Sequence, residues 1–447
     1  MTVIPTPDTH AAWRAAQALQ RHGHPLAALE ALQRQLGDVF TLPLPGFHSV
    51  ILVGPEANRF LLVDARERLR WRSEHDPVTQ LLRQGVLVTD GARHDELRQA
   101  MSPTLHRTMF DGYLPLMWQS VDHVTAQWSA GARIDLLTET RRIALLILTS
   151  TLFSDDFAPR QDDLWPAILR TLRYIAPGPW LLWPAIPRVG YRRALHQVDA
   201  YLLRLIAARR AHLEIADDLL GRLIAAGMND ALIRDQLLTM FIAGHDTSTA
   251  LLAWSLYLLC AHPAALAQVR LELDTVLGGG APTYERIAQL TTLDHVIKET
   301  LRLYPPIHLG SRIAANDLVF HDYAIPSGTR VLYSPYLTHR DPRYWPDPER
   351  FDPDRFAPQS THSRPAFAFV PFGGGPRNCM GAAFAVTEAK VVLARLLQRC
   401  DFQLVGGRVR PRMGATLEPS PGVLVEVQRR SDLPAPQTDT PGQSVVC

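Results

Sequence analysis

The stretch from about Arg234 to His262 sets the scale of this fold, because it has no internal proline and reads as one long helix. At 1.5 Å per residue it spans roughly 40 Å, enough to cross a domain. From Leu237 to Cys260 it is predominantly apolar, with a polar island at its centre: His245, Asp246, Thr247, Ser248 and Thr249. A helix of this kind lies either in lipid or inside a large protein core. A charged Asp246 beside His245 at mid-span is costly in lipid, and the adjacent loops show no positive-inside pattern. The segment is therefore expected as a buried core helix. The Thr247 hydroxyl can bond back to the Ala243 carbonyl and loosen the helix locally. Gly244 leaves room where that opening faces a ligand, although a buried helix with satisfied hydroxyls would read the same way.

A second segment names the chemistry. In FGGGPRNCMG, Phe372, Gly375, Arg377, Cys379 and Gly381 stand at fixed offsets that average residue usage would match in on the order of one chain in ten thousand. A lone cysteine in a glycine-rich loop has its sulfur near backbone N–H groups, which favour the thiolate. Such a thiolate is a nucleophile or a metal ligand. On haem iron it supplies the electron density that favours O–O cleavage. Cys260 and Cys400 stand in apolar contexts and read as inert buried thiols. Four cysteines without C-x-x-C spacing argue against a zinc site or a disulfide framework, and point to a reducing compartment.

By these residues the chain resembles the cytochrome P-450 family of haem-thiolate monooxygenases, from about residue 30 to about residue 428. The resemblance implies a mainly α fold with a minor β part, the long helix lying over a buried haem b and the cysteine loop beneath it. It implies that Cys379 ligates the iron, with Phe372 and Gly381 shaping its loop. On the opposite face Thr247 would help deliver protons to dioxygen and Asp246 would link that relay to solvent, beside Ala243 and Gly244.

Other motifs carry the same resemblance. Glu299 and Arg302, on LDHVIKETLRLY, are three apart and share a helix face; alone they would pass for a solvated surface pair. Pro348-Glu349-Arg350-Phe351, within HRDPRYWPDPERFDPDRF, matches the family's proline-rich meander, so the resemblance implies that Arg350 joins Glu299 and Arg302 in a buried network. His94 and Arg98 on GARHDELRQA, Arg312 in GSRIA and Arg377 match the ligands of the two haem propionates. His94 stands where many relatives carry tryptophan. Positions matching a substrate pocket are Leu81, Leu82, Val86, Thr239, Ala243, Ile307, Leu309 and Leu417, mostly aliphatic and equally suited to ordinary core.

The 447 residues could make two or three domains. The motifs, however, interlock from His94 to Cys379 with no low-complexity linker between them, so a single haem-binding domain is expected over residues 1–430. Residues 431–447, polar and proline-rich, are expected to be a disordered tail. Nearly half of the residues are apolar, enough for a sizeable core. A net charge of +2 gives no case for nucleic acid. The amino terminus has no apolar h-region or anchor, which suits a soluble bacterial type, cytoplasmic and monomeric. VFTLPLP and SVILVG flank Gly46-Phe47 and read as an antiparallel pair. VLYSPYLTH, DFQLV and GVLVEV read as later short strands. YIAPGPWLLWPAIP, with Trp180 and Trp183 and followed by Arg188, Arg192 and Arg193, falls by resemblance between two lid helices. It could touch a membrane surface or simply pack its tryptophans onto the core.

The expected reaction is hydroxylation of a large apolar substrate, a carotenoid first, a terpenoid or a fatty acid-like molecule otherwise, using dioxygen and two electrons. No flavin or iron–sulfur motif remains in the chain, so the electrons are expected from a separate ferredoxin or flavodoxin served by an NAD(P)H-dependent reductase. Two other classes stay open. A haem-thiolate peroxygenase or isomerase needs no redox partner, and a non-catalytic haem sensor would use a second protein ligand, for which His245 is the nearby imidazole.

Overall fold

The computed structural model describes residues 2–71, 73, 74, 76–178, 190–211, 217–278, 282–361 and 364–430. The fold is mainly helical with a minor sheet part, and its axis is the expected long helix, Asp230–Ala261, which begins one turn earlier than the sequence pattern suggests. Asn229 explains the earlier start: its side chain accepts from the Leu232 N–H, so the cap lies outside the apolar run. The helix is buried on nearly every side, against helices Leu136–Leu152, Tyr191–Ala211, Thr291–Leu303 and Ala382–Arg399. Its C-terminal half is anchored by Trp254, whose ring stacks on Tyr304 at 3.7 Å and whose indole N–H donates to the Leu417 carbonyl at 2.8 Å. Among the described residues no single helix is long and apolar enough to cross a membrane.

A five-stranded sheet forms the smaller part, in the order Val39–Leu44, Phe47–Leu52, Arg330–Tyr333, Gly310–Ala314 and Leu69–Arg70. The first two strands make the expected hairpin, but Leu44 pairs with Phe47, so the turn is Pro45-Gly46 rather than Gly46-Phe47. Gly46 takes the positive φ, 71°, that a two-residue hairpin loop demands. DFQLV and GVLVEV fall in strands Cys400–Leu404 and Leu424–Arg429, which pair with each other, and Leu424–Arg429 also pairs with Arg133–Asp135 on its other side. VLYSPYLTH is strand only to Tyr333. Ser334 then caps a one-turn helix, Pro335–Thr338, by accepting from the Leu337 N–H, and proline at the first helical position fits that start.

Three hydrophobic clusters hold these parts. The largest lies among the helices, and two smaller ones back the five-stranded sheet and the N-terminal helices. Each fully buried leucine or isoleucine contributes roughly 1.5–3 kcal/mol, so the helical cluster supplies most of the driving force. Trp180, Trp183 and Arg188, like the 431–447 tail, lie outside the described residues. Arg192 and Arg193 are exposed at the start of helix Tyr191–Ala211.

Candidate functional site

Five consecutive polar residues inside an apolar helix are tolerable only if each finds a partner, and here each does. The Thr247 hydroxyl donates to the Ala243 carbonyl at 2.7 Å, as expected, and Thr249 does the same to His245 at 2.8 Å. The helix nevertheless runs unbroken through both bonds. The His245 Nε2 bonds the Arg141 carbonyl at 3.1 Å, and burial, reinforced by Arg141, pushes the imidazole down to about 3, so it stays neutral. It points into helix Leu136–Leu152, away from the Thr247 face. Ser248 donates to Glu388 at 2.6 Å; burial raises that carboxyl to about 8.

Asp246 is the charged member, and its carboxylate is met on both oxygens. Arg141 reaches Oδ1 at 3.3 Å and the Thr416 hydroxyl donates to Oδ2 at 2.9 Å. Arg141 also pairs with Glu418, whose other oxygen accepts from Arg412 at 2.7 Å. A chain of charges thus leads from Asp246 to the solvent-exposed Arg412. Arg141, Thr416 and Glu418 carry no sequence signal of their own, because the contacts span 105 to 277 residues. Gly244 also admits a neighbouring side chain: a Cβ there would sit 2.6 Å from Leu148 Cδ1.

In the glycine-rich loop, the Cys379 N–H donates to the Phe372 carbonyl at 2.9 Å and closes the turn. Gly375 is obligatory there: its φ is 63°, and a Cβ would stand 2.3 Å from the Leu62 carbonyl oxygen. The thiolate is less favoured than the loop suggests. Cys379 is exposed, but crowding by the loop raises its thiol, and the Gly381 N–H and Arg98 only partly offset this.

The basic residues converge beside this loop. Arg98 donates to the Asn378 carbonyl at 2.8 Å and to its side-chain oxygen at 2.7 Å, tying helix Gly91–Met101 to the residue before the cysteine. Arg377 pairs with Asp90 at 2.6 Å. Arg312 and Arg377 both lie over the Trp71 ring, 3.8 and 5.3 Å from its centre. His94 is buried and bonded through Nδ1 to Asp95 at 2.8 Å; burial first, then Arg377 and Arg98, hold it below its ordinary value. Burial also lowers Arg377, helped by Arg66 and Arg98. Among the described residues Arg66, Arg98, Arg312 and Arg377 gather here around Asp90 and Asp95. A flat group bearing two carboxylates, held by a thiolate, fits such a donor set.

The ion-pair network differs from expectation in one member. Arg302 grips Glu299 with two bonds of 2.7 Å, both side chains fully buried. The second guanidinium is that of Arg355, 10% exposed and 3.5 Å from Glu299, not that of Arg350. Arg350 is 67% exposed and turns to Asp352; only its carbonyl joins, accepting from Arg302 at 3.1 Å. The meander contains Asp-Pro-x-Arg-Phe twice, five residues apart, and the turn Pro353–Phe356 aims the second arginine inward. Arg302 also donates to the His339 carbonyl at 2.9 Å. Burial, with Arg302 and Arg340, pushes His339 down to about 3, so its Nε2 is free to accept the Val370 N–H at 2.9 Å. The network thereby reaches the strand of chain that leads to Phe372 and Cys379.

Of the residues matched to a pocket, Leu81, Leu82 and Val86 lie in the large helical cluster, and Ala243 and Thr239 stand one and two turns before Thr247 on its helix face. Leu309 and Leu417 instead belong to the N-terminal cluster, and Ile307 is exposed. Leu417 nevertheless packs at the central helix, its carbonyl accepting from Trp254 at 2.8 Å.

The chain matches the family model described as Cytochrome P-450 over residues 5–426. A Mycobacterium tuberculosis protein described as cytochrome P-450 139 is 32% identical over 419 residues, 90% of this chain and 97% of that one. Cyclooctatin synthase of Streptomyces melanosporofaciens is 31% identical, covering 91% and 92% of the two chains, and pentalenene oxygenase of Streptomyces avermitilis is 30% identical, covering 86% and 87%. The solved structure of retinoic acid-bound cyanobacterial CYP120A1 superposes with a TM-score of 0.84 at 28% identity, over 96% of this chain and all of that one.

Proposed function

The chain belongs to the cytochrome P-450 family and is a haem-dependent monooxygenase, and from that premise we propose that it hydroxylates a large apolar molecule of isoprenoid type, using electrons from a separate redox protein. The observation that carries this reading is the character of the helix face beside Thr247. Thr239, Ala243 and Thr247 follow one another every fourth residue, and Leu81, Leu82 and Val86 pack in the cluster beside them with no ionised side chain in this set. Such a wall suits a hydrocarbon skeleton. The names of similar proteins, which mention cyclooctatin, pentalenene and retinoic acid, favour the isoprenoid class over fatty acids.

When bound, haem supplies dioxygen binding and activation, with electron density from the cysteine ligand favouring O–O cleavage. The chain's own residues do the rest. Cys379 would hold the metal through its thiolate. Arg98, Arg312 and Arg377 hold the two carboxylates, and His94 stands behind them through Asp95. The Thr247 hydroxyl, which donates to the Ala243 carbonyl at 2.7 Å, would turn to the bound substrate side and relay a proton there, each proton it gives being replaced by one from water. Asp246, held by Arg141 and Thr416, connects that hydroxyl towards Glu418 and Arg412. Residues through 430 act as one haem-binding domain. Two electrons arrive from a ferredoxin or flavodoxin, for which basic residues near Cys379 offer a complementary face.

Titrating terpenes, carotenoids, fatty acids and steroids into the oxidised protein, while following the low-spin to high-spin change, tests the substrate class. Isoprenoids are expected to give the tightest response. A response confined to fatty acids would overturn the assignment.

A further inference from the structure

Arg83 holds together a cluster of charges that the reaction does not use. It follows the short helix Pro77–Leu82 with a φ of 55°, a region that side chains other than glycine rarely occupy. Its guanidinium grips Asp199 of helix Tyr191–Ala211 through bonds of 3.1 and 2.7 Å, and reaches Asp235 of the central helix at 3.2 Å. Arg234 completes the set, 2.8 Å from Asp235 and 3.8 Å from Asp199. The neighbouring backbone is fastened as well. The Gln84 N–H donates to Asp235 at 3.3 Å and the Val86 N–H to Gln236 at 2.8 Å, while Gln236 returns a bond to the Gln84 carbonyl at 2.9 Å. Gly85 lies so close that an added Cβ would be 1.9 Å from Thr239 Oγ1.

Segment 83–86 is therefore pressed onto the helix face that carries Thr239, Ala243 and Thr247, about 12 Å along the axis from Thr247. Three elements meet at Arg83, and the way they meet allows release. Arg83 is 30% exposed and Asp235 only 4%. If Arg83 lets go, solvent takes up its charge and Asp235 keeps Arg234, so no buried carboxylate is left alone. A structural bolt would offer no such second partner.

We propose that Arg83 is an ionic clasp on the wall of the substrate cavity, a positioning residue whose bonds to Asp199 and Asp235 must open before a bulky ligand can pass. This rests on the haem-monooxygenase reading of the same cavity. Bulky-ligand entry then depends on ionic strength, whereas a diatomic gas enters without opening the clasp.

The test measures association of phenylimidazole with the oxidised, haem-loaded full chain by stopped flow, and of carbon monoxide with the reduced protein. In the wild type, raising sodium chloride from about 0.05 to about 0.5 M should speed the azole and leave carbon monoxide unchanged. Arg83→Gln should bind the azole about five-fold faster and lose the salt dependence, with carbon monoxide unaffected. Asp199→Asn, which leaves Asp235 and Arg234 paired, should do the same and serves if Arg83→Gln does not fold. Wild-type azole rates in both variants would overturn the clasp, as would equal acceleration of azole and gas, which signals general loosening. Absence of the red-shifted carbon monoxide band in the wild type would instead withdraw the haem-thiolate reading, and the clasp with it.

Discussion

Two charged networks serve the two sides of the proposed haem site, and they are built on opposite plans. The Glu299–Arg302–Arg355 network is sealed: its central pair is fully buried, its remaining donors go to the carbonyls of His339, Pro348 and Arg350, and Glu299 also accepts from the Asp352 N–H. The Asp246–Arg141–Glu418–Arg412 chain is open, rising from 3% exposure at Asp246 to 62% at Arg412. The sealed one fixes a geometry, because no member can leave without stranding a charge. The open one is suited to passing charge between the interior and water. Position in the fold, rather than residue type, separates them, since both consist of carboxylates and arginines.

Breaking the sealed network should give the largest effect. Glu299→Gln leaves Arg302 and Arg355 without their carboxylate, a loss of roughly 3–5 kcal/mol, seen as a collapse in the yield of folded, haem-loaded protein. Arg355→Met should follow it closely, and Arg350→Met should behave as wild type. Reversal of those two arginine variants would return the network to the arrangement expected from sequence.

That pair of arginines also shows where the sequence stops being informative. Cys379 and Thr247 were legible because their motifs are contiguous and their chemistry is local. The choice between Arg350 and Arg355 was not, because two identical Asp-Pro-x-Arg-Phe frames compete and only the fold of the turn Pro353–Phe356 decides. Gly244 was legible as a close approach but not as an approach to Leu148. Arg141 and Glu418 come from a helix and a hairpin far apart in the chain, and neither stands in a pattern. The long central helix and the early hairpin followed from the residue pattern, whereas Ser334 turned an apparent strand into a helix by a cap that hydrophobicity does not register.

Glu388 sharpens the comparison, being a buried acid that belongs to neither network. Its folded value of about 8 lies above the ordinary 4.5, so the folded state keeps a proton that the unfolded chain has lost. Its stabilising contribution is full below about pH 4.5, declines as pH rises, and is gone above about 8. Glu388→Gln should remove that slope, leaving the variant more stable than wild type at pH 8 by about 4 kcal/mol. Parallel denaturation curves of the two proteins between pH 5 and pH 8 would contradict this assignment.

On the open side the effects should be functional rather than structural. Thr247→Ala should keep the fold and the electron uptake, while product per electron pair falls about tenfold, equivalent to about 1.4 kcal/mol, and peroxide accumulates. Unchanged coupling would remove Thr247 from the proton path. Arg412→Ala, at the exposed end, should cost less than about 1 kcal/mol of stability and change turnover least of all. A loss comparable to that of Glu299→Gln would mean that this chain is sealed too.

The whole account turns on the bond between Cys379 and iron, and the dithionite-reduced, haem-loaded protein under carbon monoxide reads that bond directly. A Soret band displaced strongly to the red, and lost in Cys379→His with haem retained, is the predicted result. A band at the unshifted position in fully loaded wild-type protein would contradict it.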